Sequence, residues 1–293
     1  MIKRLAISAI AIMAAATAFG HGHGDCCRPD FCPAAACPDS VAALPRPVTG
    51  IYNLELGGTF VTATYLSPLR YSGSAFTLSG SWTKAFNRHP ERMTMRFDAA
   101  VDVDFTDNPS GNANILGFDA RFGWGLGAQW RPAPRWRAGV GGGVDVLAGL
   151  LYSTRNGNNP VQVVARTGLA ANAFCAYTFC IGRLPVVVED EVTLPLLSGF
   201  FCQEYGESYY EIYLGNHKGL AHFGYPGNAL AIDNLLSFKL DFGRTAMQIG
   251  YRLDIDTFHA NQLKTQTLRN AIVIGVIPGG LGLKQKKTEN RYY

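Results

Sequence analysis

The chain has 293 residues with 33 Gly, 12% aromatic and only 16% charged residues, where ~7% Gly and ~25% charge are usual. So much apolar and aromatic material excludes disorder. A formal charge of +4 without a Lys/Arg cluster gives no footprint for nucleic acid.

Met1–Gly20 reads as a signal peptide. Lys3 and Arg4 form its basic start, Leu5–Ala16 its apolar run, and Ala16-Thr17-Ala18 its cleavage site. This apolar run is too short for a spanning helix. No lipobox precedes Cys26, so a lipid anchor is not expected. Residues 21–50 follow as a Cys/Pro-rich segment holding Cys26, Cys27, Cys32 and Cys37. In an oxidising compartment such cysteines suggest disulfides of undetermined connectivity. No metal site or cofactor is expected from motif spacing. The weak metal candidates are His21 and His23, each third from a terminus that cleavage after Ala18 or Gly20 would create. An amine, two amides and that imidazole would suit Cu(II) or Ni(II).

From Ile51 the apolar period is two. Leu236, Phe238, Leu240 and Phe242 share one face, and Ser237, Lys239 and Asp241 the other. Met247 to Ile255 and Met93 to Phe105 alternate in the same way, and Leu116 to Trp130 places glycines between its apolar residues. The runs are ~10–15 residues long, where soluble strands average ~5–6. Long alternating strands with an apolar face predict an all-β, antiparallel transmembrane barrel. A secreted β-sandwich would need shorter strands and a polar outer face.

About ten strands are expected, with twelve or eight as alternatives, over residues 51–293. Short links fall at Asn87–Glu91, Pro132–Pro134, Cys180–Arg183 and Gly243–Thr245. Longer ones fall at Thr106–Asn114, Ser153–Pro160, Phe201–Ala231 and Thr257–Gln266. Short turns and both termini belong in the periplasm, and long loops outside. Trp82, Phe86, Trp130, Trp136, Tyr177, Phe179 and Phe242 would form the periplasmic aromatic girdle. Phe105, Phe118, Tyr152 and Phe200 would form the outer one.

Alternation sends a charge network into the lumen: Arg96, Asp98, Asp119, Arg121, Arg137, Arg166, Glu189, Glu191, Lys239, Asp241, Arg252 and Asp254. Asp102, Asp104, Asp145, Asp256 and Arg269 join it. Ten strands enclose a narrow interior, so these groups should pair across it. Glu189-Asp190-Glu191 places a carboxylate on each face. A bulge that turns Asp190 inward, or a place near the rim, would relieve the conflict. Cys175 and Cys180 flank a turn and could pair only if opposite in the hairpin. Cys202 stands at the other end of its strand.

Residues 201–231 form the longest link, rich in Tyr. Long loops are usually functional, and this one should fold over or into the barrel mouth. Its binding candidates are Tyr205, Tyr209, Tyr210, Tyr213, Asn216 and His222. Ser208, His217 and Glu211 supply residue types for a Ser–His–acid hydrolase, without any recognised spacing.

Leu194-Pro195-Leu196-Leu197-Ser198-Gly199-Phe200-Phe201, followed by Glu204-Tyr205-Gly206-Glu207-Ser208-Tyr209-Tyr210-Glu211-Ile212, resembles a segment of a Bacteroidota family of unknown function. The resemblance runs from about 50 to 280, strongest over 184–216, and leaves 21–50 uncovered. It implies an exported barrel and carries no catalytic residues.

The expected protein is a monomeric outer-membrane barrel of a Gram-negative bacterium. Its partners are membrane lipid and, through 201–231, a ligand or another envelope protein; nucleic acid is not among them. Narrow-pore transport and rim-site hydrolysis of lipid or peptide are the other two classes. It is more naturally a non-enzyme.

Overall fold

The computed structural model describes residues 50–86 and 92–281. The expected signal peptide, residues 21–49 of the expected Cys/Pro-rich segment and the His21/His23 candidates lie outside these residues. Eleven strands follow in order: β1 (Ile51–Ala63), β2 (Ser67–Ala85), β3 (Met93–Asp107), β4 (Asn114–Ala133), β5 (Trp136–Ser153), β6 (Val161–Ile181) and β7 (Leu184–Phe201), then β8 (Ala221–Gly224), β9 (Ala229–Asp241), β10 (Thr245–Ala260) and β11 (Leu263–Pro278). One short helix, α1 (Tyr209–Tyr213), lies between β7 and β8.

Ten strands close an antiparallel ring. Chain neighbours pair from β1 to β7, β7 pairs with β9, and β11 returns to β1. β8 stands outside the ring, pairing only with Ser198–Phe201 of β7. The expected ten strands therefore form, and the long loop adds one short strand. Closure leaves the ring no free edge.

Both ends of the barrel chain, Ile51 and Pro278, lie at one rim with the short turns after β4, β6 and β9. We call this the terminal end, and the opposite rim the loop end. At the loop end the expected ten-residue link between β10 and β11 is two residues, Asn261-Gln262, with φ of 50° and 61°. Two central residues at positive φ match the twist of paired strands, so pairing runs up to Ala260–Leu263.

The pleat sends alternate side chains to opposite faces. On β11, Thr265, Arg269, Ala271 and Val273 are buried, while Ile272, Ile274 and Val276 are exposed. On β1, Asn53, Glu55 and Thr59 are buried while Leu54 and Leu56 are exposed. The exposed set continues through Phe76, Leu78, Phe118, Phe122, Trp124, Phe238 and Ile249. The barrel is thus polar inside and apolar outside.

One irregularity reverses this order. Pairing between β6 and β7 slips between Leu169, opposite Leu197, and Ala170, opposite Pro195, leaving Leu196 as the extra residue of a bulge. Below it Glu189 faces inward; above it Ser198 and Phe200 do, and Leu196 and Leu197 are both exposed. Phe200, expected in the outer girdle, is therefore an interior residue at 3% exposure. The β7–β9 ladder also ends at Thr193, two residues before Pro195, which has no N–H to offer a neighbour.

Asp190 is not turned inward. It lies below the bulge, where alternation holds, and its Oδ1 accepts a 2.7 Å hydrogen bond from Asn234 Nδ2. It stands six residues beyond Leu184, where β7 begins, opposite Cys175 on one side and Leu236 on the other. Cys175 and Cys180 both belong to β6 and pair opposite Asp190 and Pro185. The hairpin begins only after Ile181, so the two cysteines cannot face each other.

Candidate functional site

The lumen is filled in three tiers. At the loop end, inward residues near the strand tips are apolar. Val61, Ile115, Leu147, Leu151, Phe200, Phe258 and Leu263 pack into one buried cluster with Tyr71 and Cys202. Here the rule of polar-in fails, because side chains meeting across a closed mouth exclude water and gain from mutual burial.

Below this plug lies the charge tier. Arg121 lies 2.9 Å from both Asp102 and Asp254. Arg269 lies 2.6 Å from Asp104 and 3.3 Å from Asp254, and also pairs with Asp119. Arg166 meets Asp145 at 2.7 Å and pairs with Asp256. Arg252 lies 2.6 Å from Glu55 and 3.4 Å from Asp233. Nearer the terminal end, Arg96 meets Asp98 at 2.7 Å and pairs with Glu191. Glu189 is shared by Arg137 at 2.7 Å and Lys239 at 2.5 Å. Asp241 Oδ1 accepts the Gly243 N–H at 2.7 Å. Every lumen residue expected from alternation is inward, and the network joins strands that are not neighbours. Arg96 on β3 reaches β7, and Arg121 on β4 reaches β10. Glu55 and Asp233 were missed. Leu54 and Leu56 give away Glu55, and extending Ser237, Lys239 and Asp241 by two-residue steps gives Asp233.

The third tier is a chamber of about 220 Å³ in the half toward the terminal end. Gly123, Gly125, Gly127 and Gly143 of β4 and β5 line it, with Arg96, Asp98, Arg137, Asn172, Phe174 and Asp233. Glycines leave the space that side chains would otherwise fill.

Residues 202–228 cover the loop end. Tyr209 of α1 anchors them: its hydroxyl accepts the Val163 N–H at 2.7 Å and donates to Gln203 Oε1 at 3.1 Å. Tyr65 donates to the Glu207 carbonyl at 2.7 Å. Burial pushes both phenols above their ordinary range, which keeps them protonated as donors. Asn216 Nδ2 donates to Glu207 Oε1 at 2.8 Å. His222 packs on Phe200 with ring centroids 5.4 Å apart, its Nε2 3.3 Å from the Cys202 carbonyl. Three of the six binding candidates, Tyr209, Asn216 and His222, thus hold the loop together. Tyr205, Tyr210 and Tyr213 are 78%, 69% and 84% exposed, and Leu214 and Phe223 join them at the surface.

Ser208 and Glu211 come together as a capping box. Ser208 Oγ accepts the Glu211 N–H at 3.3 Å, and Glu211 Oε2 accepts the Ser208 N–H at 2.7 Å. These bonds close the first turn of α1 and hold the Glu211 carboxyl below its ordinary range. No hydrogen bond joins His217 to either residue, so the three hydrolase candidates are not assembled as a relay.

The chain belongs to the family described as "Protein of unknown function (DUF3316)", whose model matches residues 30–287. The match begins inside the 21–50 segment, earlier than the resemblance expected. No curated protein matches. Among solved structures, the transport unit of the autotransporter AIDA-I from Escherichia coli is 8% identical, with a TM-score of 0.45, covering 83% of this chain and 94% of that one. The outer membrane protease OmpT from Escherichia coli is 8% identical with a TM-score of 0.41, covering 82% and 98%. The translocator domain of the autotransporter NalP from Neisseria meningitidis is 10% identical with a TM-score of 0.33, covering 79% and 90%.

Proposed function

We propose that this is a non-conducting outer-membrane barrel of a Gram-negative bacterium, which presents residues 202–228 as a surface for another envelope protein or ligand. The apolar band on the outward face supports membrane insertion. Strands of 13 to 21 residues exceed the ~9–11 needed to cross hydrocarbon. Girdle residues Trp136, Tyr177 and Phe179 cluster near the terminal end, with centroids 4.9 and 6.1 Å apart. We take that end as periplasmic, because short turns gather there and the longer links lie at the loop end.

The observation that carries the reading is the contrast between mouth and surface. Beneath the loop the mouth is filled by buried side chains, Ile115 at 0% and Leu151 at 1% exposure. Above it, Tyr205, Tyr210, Tyr213 and Leu214 project without cover. Tyr and Trp bring large contact area and a polar tip at small entropic cost, which suits them to recognition. Narrow-pore transport is disfavoured because two tiers cross the lumen. Hydrolysis is disfavoured because Ser208 is engaged as a helix cap. The test is co-purification from native envelopes of the wild type and of a Tyr205→Ala/Tyr210→Ala/Tyr213→Ala variant. A partner recovered with wild type and lost from the variant supports the reading. A partner retained equally by both contradicts it.

A further inference from the structure

The chamber holds a second feature, independent of the loop. The charged groups that reach it are largely matched with one another: Arg96 with Asp98 and Glu191, and Arg137 and Lys239 with Glu189. The groups left open are mostly neutral. Thr94, Asn172 and Thr193 line the chamber, and among the described residues their side chains form no hydrogen bond. Asp233 is the exception among the charges. Its side chain is 35% exposed and stands 3.4 Å from Arg252 Nε, yet neither its Oδ1 nor that Nε has a hydrogen-bond partner. Gln248 lines the same chamber at 1% exposure, and its Oε1 accepts nothing. The open capacity is therefore of both kinds, donor and acceptor.

The ladders bring these groups together. Asp233 of β9 stands opposite Thr193 of β7, and Thr193 opposite Asn172 of β6. All three point inward, by parity with Lys239, Glu189 and Arg166. They form one row across three strands, spaced at about 4.8 Å from strand to strand. The row continues through Gly141 and Gly127 to Thr94, so two glycines leave a gap two strands wide. The Asn172 amide leans over the first of them: a Cβ on Gly141 would lie 2.3 Å from Asn172 Oδ1. Two residues further along β6, inward again, is the ring of Phe174, with the Arg137 guanidinium 5.1 Å from its centroid.

This set selects its occupant. A hydroxyl both donates and accepts, as do the Thr hydroxyls and the Asn172 amide, while the Asp233 carboxylate only accepts. A bare cation would leave the donors idle, and a bare anion would be repelled by Asp233. A carbon ring bearing several hydroxyls serves all of these groups and turns its C–H surface to Phe174. The chamber's 220 Å³ is below the ~300–1,000 Å³ of pockets for drug-sized ligands, which limits the occupant to a single such ring.

We propose that the chamber binds one sugar unit, held by Asp233, Thr193 and Asn172. Its source is either a free monosaccharide or the end of an envelope glycan.

The test is a saturation-transfer NMR titration of the full chain, purified in a detergent without a sugar headgroup, since such a headgroup would compete. The sugar probes are glucose, galactose, mannose, N-acetylglucosamine and the core oligosaccharide released from lipopolysaccharide. Glycine, ethanolamine and inorganic phosphate represent a zwitterion, a cation and an anion. At least one sugar probe should bind with a Kd of about 1 mM or tighter. A bound monosaccharide assigns the site to free sugar, and binding of the oligosaccharide alone assigns it to a glycan end. Thr193→Val and Asn172→Leu remove hydrogen-bonding groups at nearly constant volume, and each should weaken binding roughly fivefold. An unchanged heat-dependent gel shift shows that a variant has folded, and either variant suffices. The Tyr205→Ala/Tyr210→Ala/Tyr213→Ala variant should bind as wild type, which separates this site from the loop. The proposal is overturned if no sugar probe binds, if only the charged probes bind, or if the folded lumen variants bind sugar as tightly as wild type.

Discussion

Arg121 on β4 and Asp254 on β10 meet at 2.9 Å from opposite walls of the barrel, five places apart around the ring of ten. The same guanidinium holds Asp102, which is fully buried and also accepts from Thr77 Oγ1 at 2.6 Å. The pair spans the lumen at mid-height and ties together strands that share no backbone ladder.

Removing one partner should cost far more than the pair contributes. Arg121→Ala leaves Asp102 and Asp254 buried without their shared cation, a loss of about 3–5 kcal/mol. We expect the urea midpoint of the folded, heat-modifiable form to drop sharply. Replacing Arg121 and Asp254 together should recover part of that loss, giving a double-mutant coupling of at least ~1 kcal/mol. Additive losses would mean that the two residues do not act as a pair.

Two lumen glycines should respond oppositely to the same substitution. A Cβ on Gly143 would lie 2.0 Å from the Trp124 carbonyl oxygen, backbone that cannot swing away. A Cβ on Gly123 would meet only Asp98 at ordinary contact distance, 3.6 Å. Gly143→Ala should destabilise by about 1–3 kcal/mol, whereas Gly123→Ala should be near neutral. Thermal unfolding in one detergent distinguishes them.

Cys202 should be inert in the folded protein. Burial pushes its thiol up to about 11, and the thiolate is the reactive form. At pH 8 the thiolate fraction is then about a thousandth. Alkylation by iodoacetamide, read on the Cys202 peptide by mass spectrometry, should run at least 100-fold slower than in the urea-unfolded chain. Equal rates would show that the plug admits solvent.

The loop anchor should loosen in acid. Hydrogen bonds from Ser208 hold the Glu211 carboxyl below its ordinary value of 4.5. A depressed carboxylate stabilises above its unfolded pKa and loses that contribution as pH falls through the folded one. Amide exchange in α1 should therefore be constant near neutrality and rise in acid beyond the intrinsic trend. Ser208→Ala should raise it at neutral pH. If Ser208→Ala instead abolished an esterase activity of the pure protein, the residue would belong to an active site.

The ten strands and the inward charges were legible because lipid on one side and a narrow polar lumen on the other impose a strict period of two. Phe200 was not, because one bulged residue, Leu196, reverses every side chain beyond it without breaking the apolar pattern. The apolar plug was hidden for a related reason: Ile115 and Leu151 look like members of a lipid face until parity is counted from Arg121 and Asp145. Among the loop tyrosines, sequence offered four equivalent candidates. Only the fold separates Tyr209, which holds the Val163 amide, from Tyr205, Tyr210 and Tyr213, whose side chains stand exposed.

A planar lipid bilayer recording of the purified full chain tests most directly whether the barrel is sealed. We predict a current indistinguishable from that of the bare bilayer across ±100 mV, because the plug and the Arg121–Asp254 tier both cross the lumen. Stable, stepwise ohmic openings from the wild type would contradict the account.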